Sequence, residues 1–239
     1  MPGSWVLVIL IIVSSIPVIA VYIWFKTAKY QISLVQFLFA LLAGAAAFFP
    51  ALIIQQLLLF PFITHGRMAL FYEFFIRIAL SEELSRLLML FIFFWISSRV
   101  KPGDNSNQLL TFGIVRRGTA IGLVAGLGFA ILESATYAAS DMTIRIVLLR
   151  FFTAALHGAC GSRIGAAALL FRTNPVQALL RIFTATAIHG IYNFMVTMPG
   201  LSSIAAILIA VSALFTAVLT IHTPGPHTPG TVDKSDEKT

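Results

Sequence analysis

The stretch Leu70–Ser97, LFYEFFIRIALSEELSRLLMLFIFFWIS, decides the fold. Crossing the hydrocarbon core of a bilayer takes about 20 mostly apolar residues in a helix, and this segment is long enough. It nevertheless carries Glu73, Arg77, Glu82, Glu83 and Arg86. The rest of the chain says which solvent surrounds it. Of 239 residues, 59% are hydrophobic and only 10% charged, with a mean hydropathy of +0.94. A soluble domain carries about 25% charged residues, so there is too little polar surface here to cover a water-soluble globule. Lipid is the solvent for most of this chain.

Working outward from Leu70–Ser97, six further apolar runs read as spans. They are Trp5–Phe25, Ile32–Phe60 with a kink expected at Pro50, Phe112–Ala139, Thr143–Phe171, Val176–Thr197 and Leu201–Ile221. The fold class is therefore all-α, a polytopic transmembrane helical bundle of about seven spans. Trp5–Phe25 lacks a positive leading region and reads as a retained span. Residues 61–67 form a short connector, and Arg99–Leu110 is a polar loop with Pro-Gly and Asn/Ser turn chemistry. Gly118, Gly122 and Gly126 recur every four residues, with Ala130 and Ser134 continuing the row. Such a ridge lets a neighbouring helix approach closely, and Gly161 and Gly165 repeat the spacing one span later. One membrane domain, 1–221 with its polar core in 70–198, is followed by a polar tail, 222–239, whose composition cannot bury apolar surface.

The net charge of +7 does not point to nucleic acid. The basic residues stand singly or in pairs at span ends, with no basic stripe or aromatic platform. Counted by alternate loops, one side collects Lys26, Lys29, Arg99, Lys101, Arg116, Arg117, Arg172, Arg181 and the tail lysines. The other has Arg67 and Arg145, with Arg77 and Arg150 deeper. The positive-inside rule places the N-terminus outside and the C-terminus in the cytoplasm of a cell-membrane protein. The lone Cys160 excludes an internal disulfide framework.

Charged and ionisable residues within spans cost roughly 2.5–3.5 kcal/mol each for Asp, Lys or Arg at the centre, and they mark functional sites. Glu82, Glu83, Arg86, Glu133 and Arg163 are of this kind, and His157 and His189 lie near span centres. At 1.5 Å per residue, Glu83 falls roughly 20 Å below the outer end of its span, Glu133 9 Å, His157 21 Å and His189 12 Å. Four helices can thus bring two imidazoles and two carboxylates to one depth. Catalytic zinc takes three His or carboxylate ligands and leaves a fourth position for water, while a separate carboxylate takes the proton. Two histidines and Glu133 suit the ligands, and one of Glu82 and Glu83 suits the base. Arg86 reaches either glutamate and can neutralise one, or serve only as a structural ion pair. Asn193, one turn after His189, can act as interhelical glue or polarise a substrate carbonyl. Glu73 and Arg77 read as an interfacial pair, and Arg163 as packing or counter-charge. No HExxH, no Asp within a span and no GxSxG-like nucleophile occurs.

These residues resemble the PrsW intramembrane proteases, in the wider group of type II CAAX prenyl proteases and bacteriocin-processing or immunity membrane proteins. The signature is two adjacent glutamates with a basic residue three after the second, then F-x-x-x-E, then two histidine motifs. Here they read Glu82-Glu83-Leu84-Ser85-Arg86, Phe129-Ala130-Ile131-Leu132-Glu133, His157-Gly158-Ala159-Cys160-Gly161 and His189-Gly190-Ile191-Tyr192-Asn193, each in its own span. Arg86 stands where many relatives have Lys, and Asn193 where Asp is common, both as on the prenyl-protease side. Against that side, Glu133 occupies a place where prenyl proteases carry His, and Arg86 comes one residue early. The resemblance implies a metal-dependent, glutamate-assisted peptidase that holds a divalent metal, zinc above others. It implies a membrane-anchored protein substrate such as an anti-sigma factor. Two readings of other classes use the same buried residues: an ion-coupled transporter, for which no internal repeat is found, and a non-catalytic scaffold or immunity protein.

Overall fold

The computed structural model describes residues 4–28, 30, 32–59, 66–98, 107–136, 144–198 and 202–223. Among them every regular element is helical: α1 (Ser4–Thr27), α2 (Leu34–Ala46), α3 (Phe48–Leu57), α4 (Arg67–Phe71), a π-helical segment (Tyr72–Leu80), α5 (Ser81–Ser98), α6 (Asn107–Thr136), α7 (Ile144–Leu170), α8 (Pro175–Thr197) and α9 (Ser202–His222). Trp5–Thr27, Leu34–Leu57, Gly113–Thr136, Pro175–Thr197 and Ser202–His222 are long and apolar enough to span a membrane. The two other expected spans are α4 to α5, which carries the most charge, and α7, which carries three arginines. The protein is a multi-pass membrane protein, and about seven spans is an approximate count.

Local chemistry sets the helix ends. Ser33 caps α2: its Oγ accepts the Gln36 N–H at 3.1 Å while Gln36 Oε1 accepts the Ser33 N–H at 3.2 Å. Such a reciprocal cap holds the first turn by about 1 kcal/mol. The expected kink near Pro50 falls at Ala47, where α2 ends and α3 begins. Proline has no N–H to give the carbonyl four residues back, here that of Ala46, and its ring crowds that carbonyl. Asn174 caps α8, with Pro175 at the first helical position. The α6 helix starts at Asn107, earlier than the expected span, because hydropathy marks the lipid-facing stretch and not where helical hydrogen bonding begins. The rest of the expected 99–110 loop, the core of the 61–67 connector and the tail from residue 224 lie outside the described residues.

The α7 helix is central, packed against α1, α5, α6, α8 and α9. The glycine ridge of α6 makes this possible. A Cβ on Gly126 would lie 2.9 Å from Gly158 Cα and closer still to the His157 carbonyl. At Gly122 it would lie 2.9 Å from Gly165 Cα. Glycine on both helices lets the backbones touch, which fixes the height of His157 against α6. The outer surface is the inverse of a soluble protein's. Ile12, Ile19, Phe39, Leu42, Ile53, Leu208 and Phe215 all stand exposed, as lipid-facing side chains do.

Candidate functional site

The glutamate pair opens α5 directly after the π-helical segment. Ser81 Oγ donates to the carbonyls of Arg77 (2.6 Å) and Ile78 (2.9 Å), and Ser85 Oγ to that of Ser81 (2.7 Å). These hydroxyls serve carbonyls where the wide π turns give way to the α-helix. Glu73 and Arg77 pair within the segment, as expected.

Helix rotation gives the adjacent glutamates different surroundings. Glu83 is wholly enclosed, and its Oε1 meets Arg86 Nη2 at 2.8 Å and His189 Nδ1 at 2.7 Å. Glu82 reaches the cavity beside the site. Its Oε1 accepts Gln55 Nε2–H from α3 at 3.2 Å. Its Oε2 is buried without a hydrogen-bond partner, 3.6 Å from both His189 Nε2 and Arg86 Nη2.

The histidines come from α7 and α8, with ring centroids 5.0 Å apart and ring planes at 88°. Glu133 on α6 places Oε2 2.8 Å from His157 Nε2 and 3.2 Å from Arg150 Nη1. Arg86 Nη2 lies 3.2 Å from His157 Nδ1. A guanidinium only donates, so Arg86 meets His157 as a donor, while Nε2 faces Glu133. His189 is arranged the other way: Nδ1–H donates to Glu83 and the Nε2 lone pair faces Glu82. Phe129, first residue of the F-x-x-x-E motif, stacks beneath Arg86 with the guanidinium carbon 4.7 Å from its ring centre, and its own ring lies 5.1 Å from that of His157.

One oxygen of Glu82 and one nitrogen each of His157 and His189 all lie within 4.8 Å of one another. This donor set fits a divalent metal. Two imidazoles and a carboxylate are the ligand chemistry of open zinc sites. Glu82 Oε2 is an orphaned buried oxygen, of the kind that a cation satisfies. Charge balance agrees: three carboxylates (Glu82, Glu83, Glu133) meet two guanidiniums (Arg86, Arg150), leaving one negative charge over.

A cavity of about 340 Å³ opens onto this cluster, lined among others by Gln55, Arg77, Glu82, Glu133, Arg150 and Asn193. The six expected core residues Glu82, Glu83, Arg86, Glu133, His157 and His189 therefore meet, and Asn193 faces the same cavity. Arg163 does not join them; it bonds α9 through the Ala213 carbonyl and Thr216. Sequence alone does not single out Gln55 or Thr153, nor the chain in which Thr153 joins Arg150 to Tyr192 with contacts of 3.0 and 2.9 Å. A glutamine inside an apolar span is itself a signal, and Gln55 sits in one.

A helical bundle that encloses a His/Glu donor set beside a cavity within the membrane defines a membrane-embedded metallohydrolase. The sequence model described as PrsW family intramembrane metalloprotease matches residues 33–221, more than three quarters of the chain. The chain belongs to that family, and the protein is a membrane metallopeptidase. Neither the curated proteins nor the solved structures give a match.

Proposed function

We propose that this peptidase cleaves membrane-anchored protein substrates, such as an anti-sigma factor or another regulatory protein, at the depth of the two histidines. The clustering of Glu82, His157 and His189, with Glu82 on the wall of the cavity, carries the reading. In it these three residues hold the divalent ion, zinc above others. Bound there, the ion supplies a Lewis acid for the scissile carbonyl and lowers the pKa of water in the open position.

The remaining groups do the positional and proton work. Glu133, on the cavity wall with Arg150 beside it, accepts the proton of the attacking water and later delivers it to the leaving amine. Asn193 directs its amide N–H at the substrate carbonyl. Glu83 and Arg86 are enclosed and do not reach substrate; they orient His189 and His157. This exchanges the roles that sequence alone gave Glu133 and the glutamate pair. The basic-loop count supports an N-terminus outside and a C-terminus in the cytoplasm.

The test is cleavage of labelled single-pass peptides alongside metal content. Glu133→Gln is expected to keep metal and lose proteolysis, whereas Glu82→Gln loses metal as well. The reverse pattern would assign the base to Glu82 and the ligand to Glu133. Full activity in both variants would overturn the reading.

A further inference from the structure

Two arginines inside the bundle play no part in the metal cluster. Arg163 on α7 follows His157 by six residues, and Arg181 on α8 precedes His189 by eight, so along the helices they stand about 9 and 12 Å from the imidazoles. Arg163 has only neutral acceptors: the carbonyls of Ala159 (2.8 Å) and Ala213 (3.3 Å) and Thr216 Oγ1 (2.7 Å). Arg181 makes no hydrogen bond among the described residues, and none of their carboxylates pairs with either arginine. Glu83 is already held by Arg86 and His189.

Both guanidiniums line one pocket of about 140 Å³ between α6, α7, α8 and α9. A shallower opening that they share with Gln177 and Thr184 adjoins it. Thr119 on α6 also lines the pocket. It is 2% exposed, and its hydroxyl has no hydrogen-bond partner. Two like charges and an unserved donor around one void, without a counter-ion, are a costly arrangement in lipid. A tetrahedral oxyanion matches it, since guanidinium forks bind phosphate oxygens in pairs. A water's share of liquid volume is about 30 Å³, so the void has room for a phosphate group.

The depth suits a headgroup. Arg163 lies seven residues before the end of α7 and Arg181 six after the start of α8, so both sit about 9–11 Å inside the same helix ends. Arginine side chains reach outward toward the interface over such distances, and basic pockets between membrane helices bind anionic headgroups.

We propose that Arg163, Arg181 and Thr119 form a binding site for a phosphate group, supplied by the phosphodiester of an anionic lipid or by free phosphate. The full-length protein in phosphatidylcholine nanodiscs is compared with the same protein given either phosphatidylglycerol in the disc or inorganic phosphate in the buffer. The readout is the thermal unfolding midpoint. The midpoint is expected to rise with phosphatidylglycerol if the source is a lipid, and with inorganic phosphate if it is soluble. Arg181→Gln and Thr119→Val are expected to abolish or weaken the rise, each lost arginine lowering affinity about fivefold. Arg172→Gln, on the exposed turn outside the pocket, is expected to keep it. Arg163→Gln is the weaker variant, because Arg163 also ties α7 to α9. No rise with either probe would overturn the proposal, as would a rise that Arg181→Gln and Thr119→Val leave intact or that Arg172→Gln removes equally.

Discussion

His189 Nδ1 lies 2.7 Å from Glu83 Oε1, inside a shell that leaves Glu83 with no exposed surface. The contact fixes both the rotation of the imidazole and its tautomer, so that Nε2 turns to Glu82. A carboxylate behind a ligating histidine typically accounts for a 10- to 100-fold change in metal affinity.

Glu83→Gln is therefore expected to weaken zinc binding by about 10- to 100-fold. It should also destabilise the bundle, by up to about 3–5 kcal/mol, because Arg86 loses its close carboxylate and keeps only Glu82 at 3.6 Å. Zinc titration together with thermal unfolding checks both effects. Metal affinity equal to wild type would mean that Glu83 does not hold His189.

Gln55 reaches Glu82 across the α3–α5 contact and donates to the oxygen that does not face His189. Gln55→Leu removes a hydrogen bond to a charged group, worth about 1.5–3 kcal/mol. It is expected to lower kcat about 10- to 100-fold while the folded helix content, read by circular dichroism, stays unchanged. Wild-type kcat in this variant would show that Glu82 needs no such anchor.

The α6–α7 contact predicts a pair of opposite outcomes. Gly126→Val forces a side chain into the His157 backbone and is expected to destabilise by about 3 kcal/mol or more, with loss of activity. Nothing lies within 4 Å of a Cβ at Gly113, so Gly113→Ala is expected to be neutral, or to stabilise by up to about 1 kcal/mol through helix propensity. Equal melting temperatures for the two variants would contradict the packing described.

The topology predicts that a cysteine introduced at positions 105–108 is shielded from membrane-impermeant thiol reagent added to intact cells and reacts after permeabilisation. The native Cys160 is buried, so it contributes little background. Labelling from outside would invert the orientation.

Much of this site is legible in the sequence because a bilayer makes ionisable side chains conspicuous. Glu82, Glu83, Arg86, Glu133, His157 and His189 stand out by type and depth alone, and the glycine spacing of α6 announces a close helix contact. Rotation is what a one-dimensional depth count lacks. The orphaned Oε2 of Glu82 beside His189, and the pairing of Glu133 with His157 and Arg150, follow from how α5, α6 and α7 turn about their axes. The π-helical segment before Glu82 shifts that rotation, and no periodicity in Tyr72–Leu80 reveals it. Gln55 is conspicuous as a glutamine within an apolar span, but only the rotation of α3 shows that it faces Glu82.

The central claim is that proteolysis runs on a metal held by the two histidines. Its most direct test follows cleavage of a labelled single-pass peptide by the purified protein as zinc is removed with a chelator and then restored. Activity is expected to vanish with the zinc and return on its addition, and His157→Ala and His189→Ala are expected to stay inactive and metal-free throughout. Cleavage that persists in the fully chelated protein, or zinc retained at wild-type level by both alanine variants, would contradict the account.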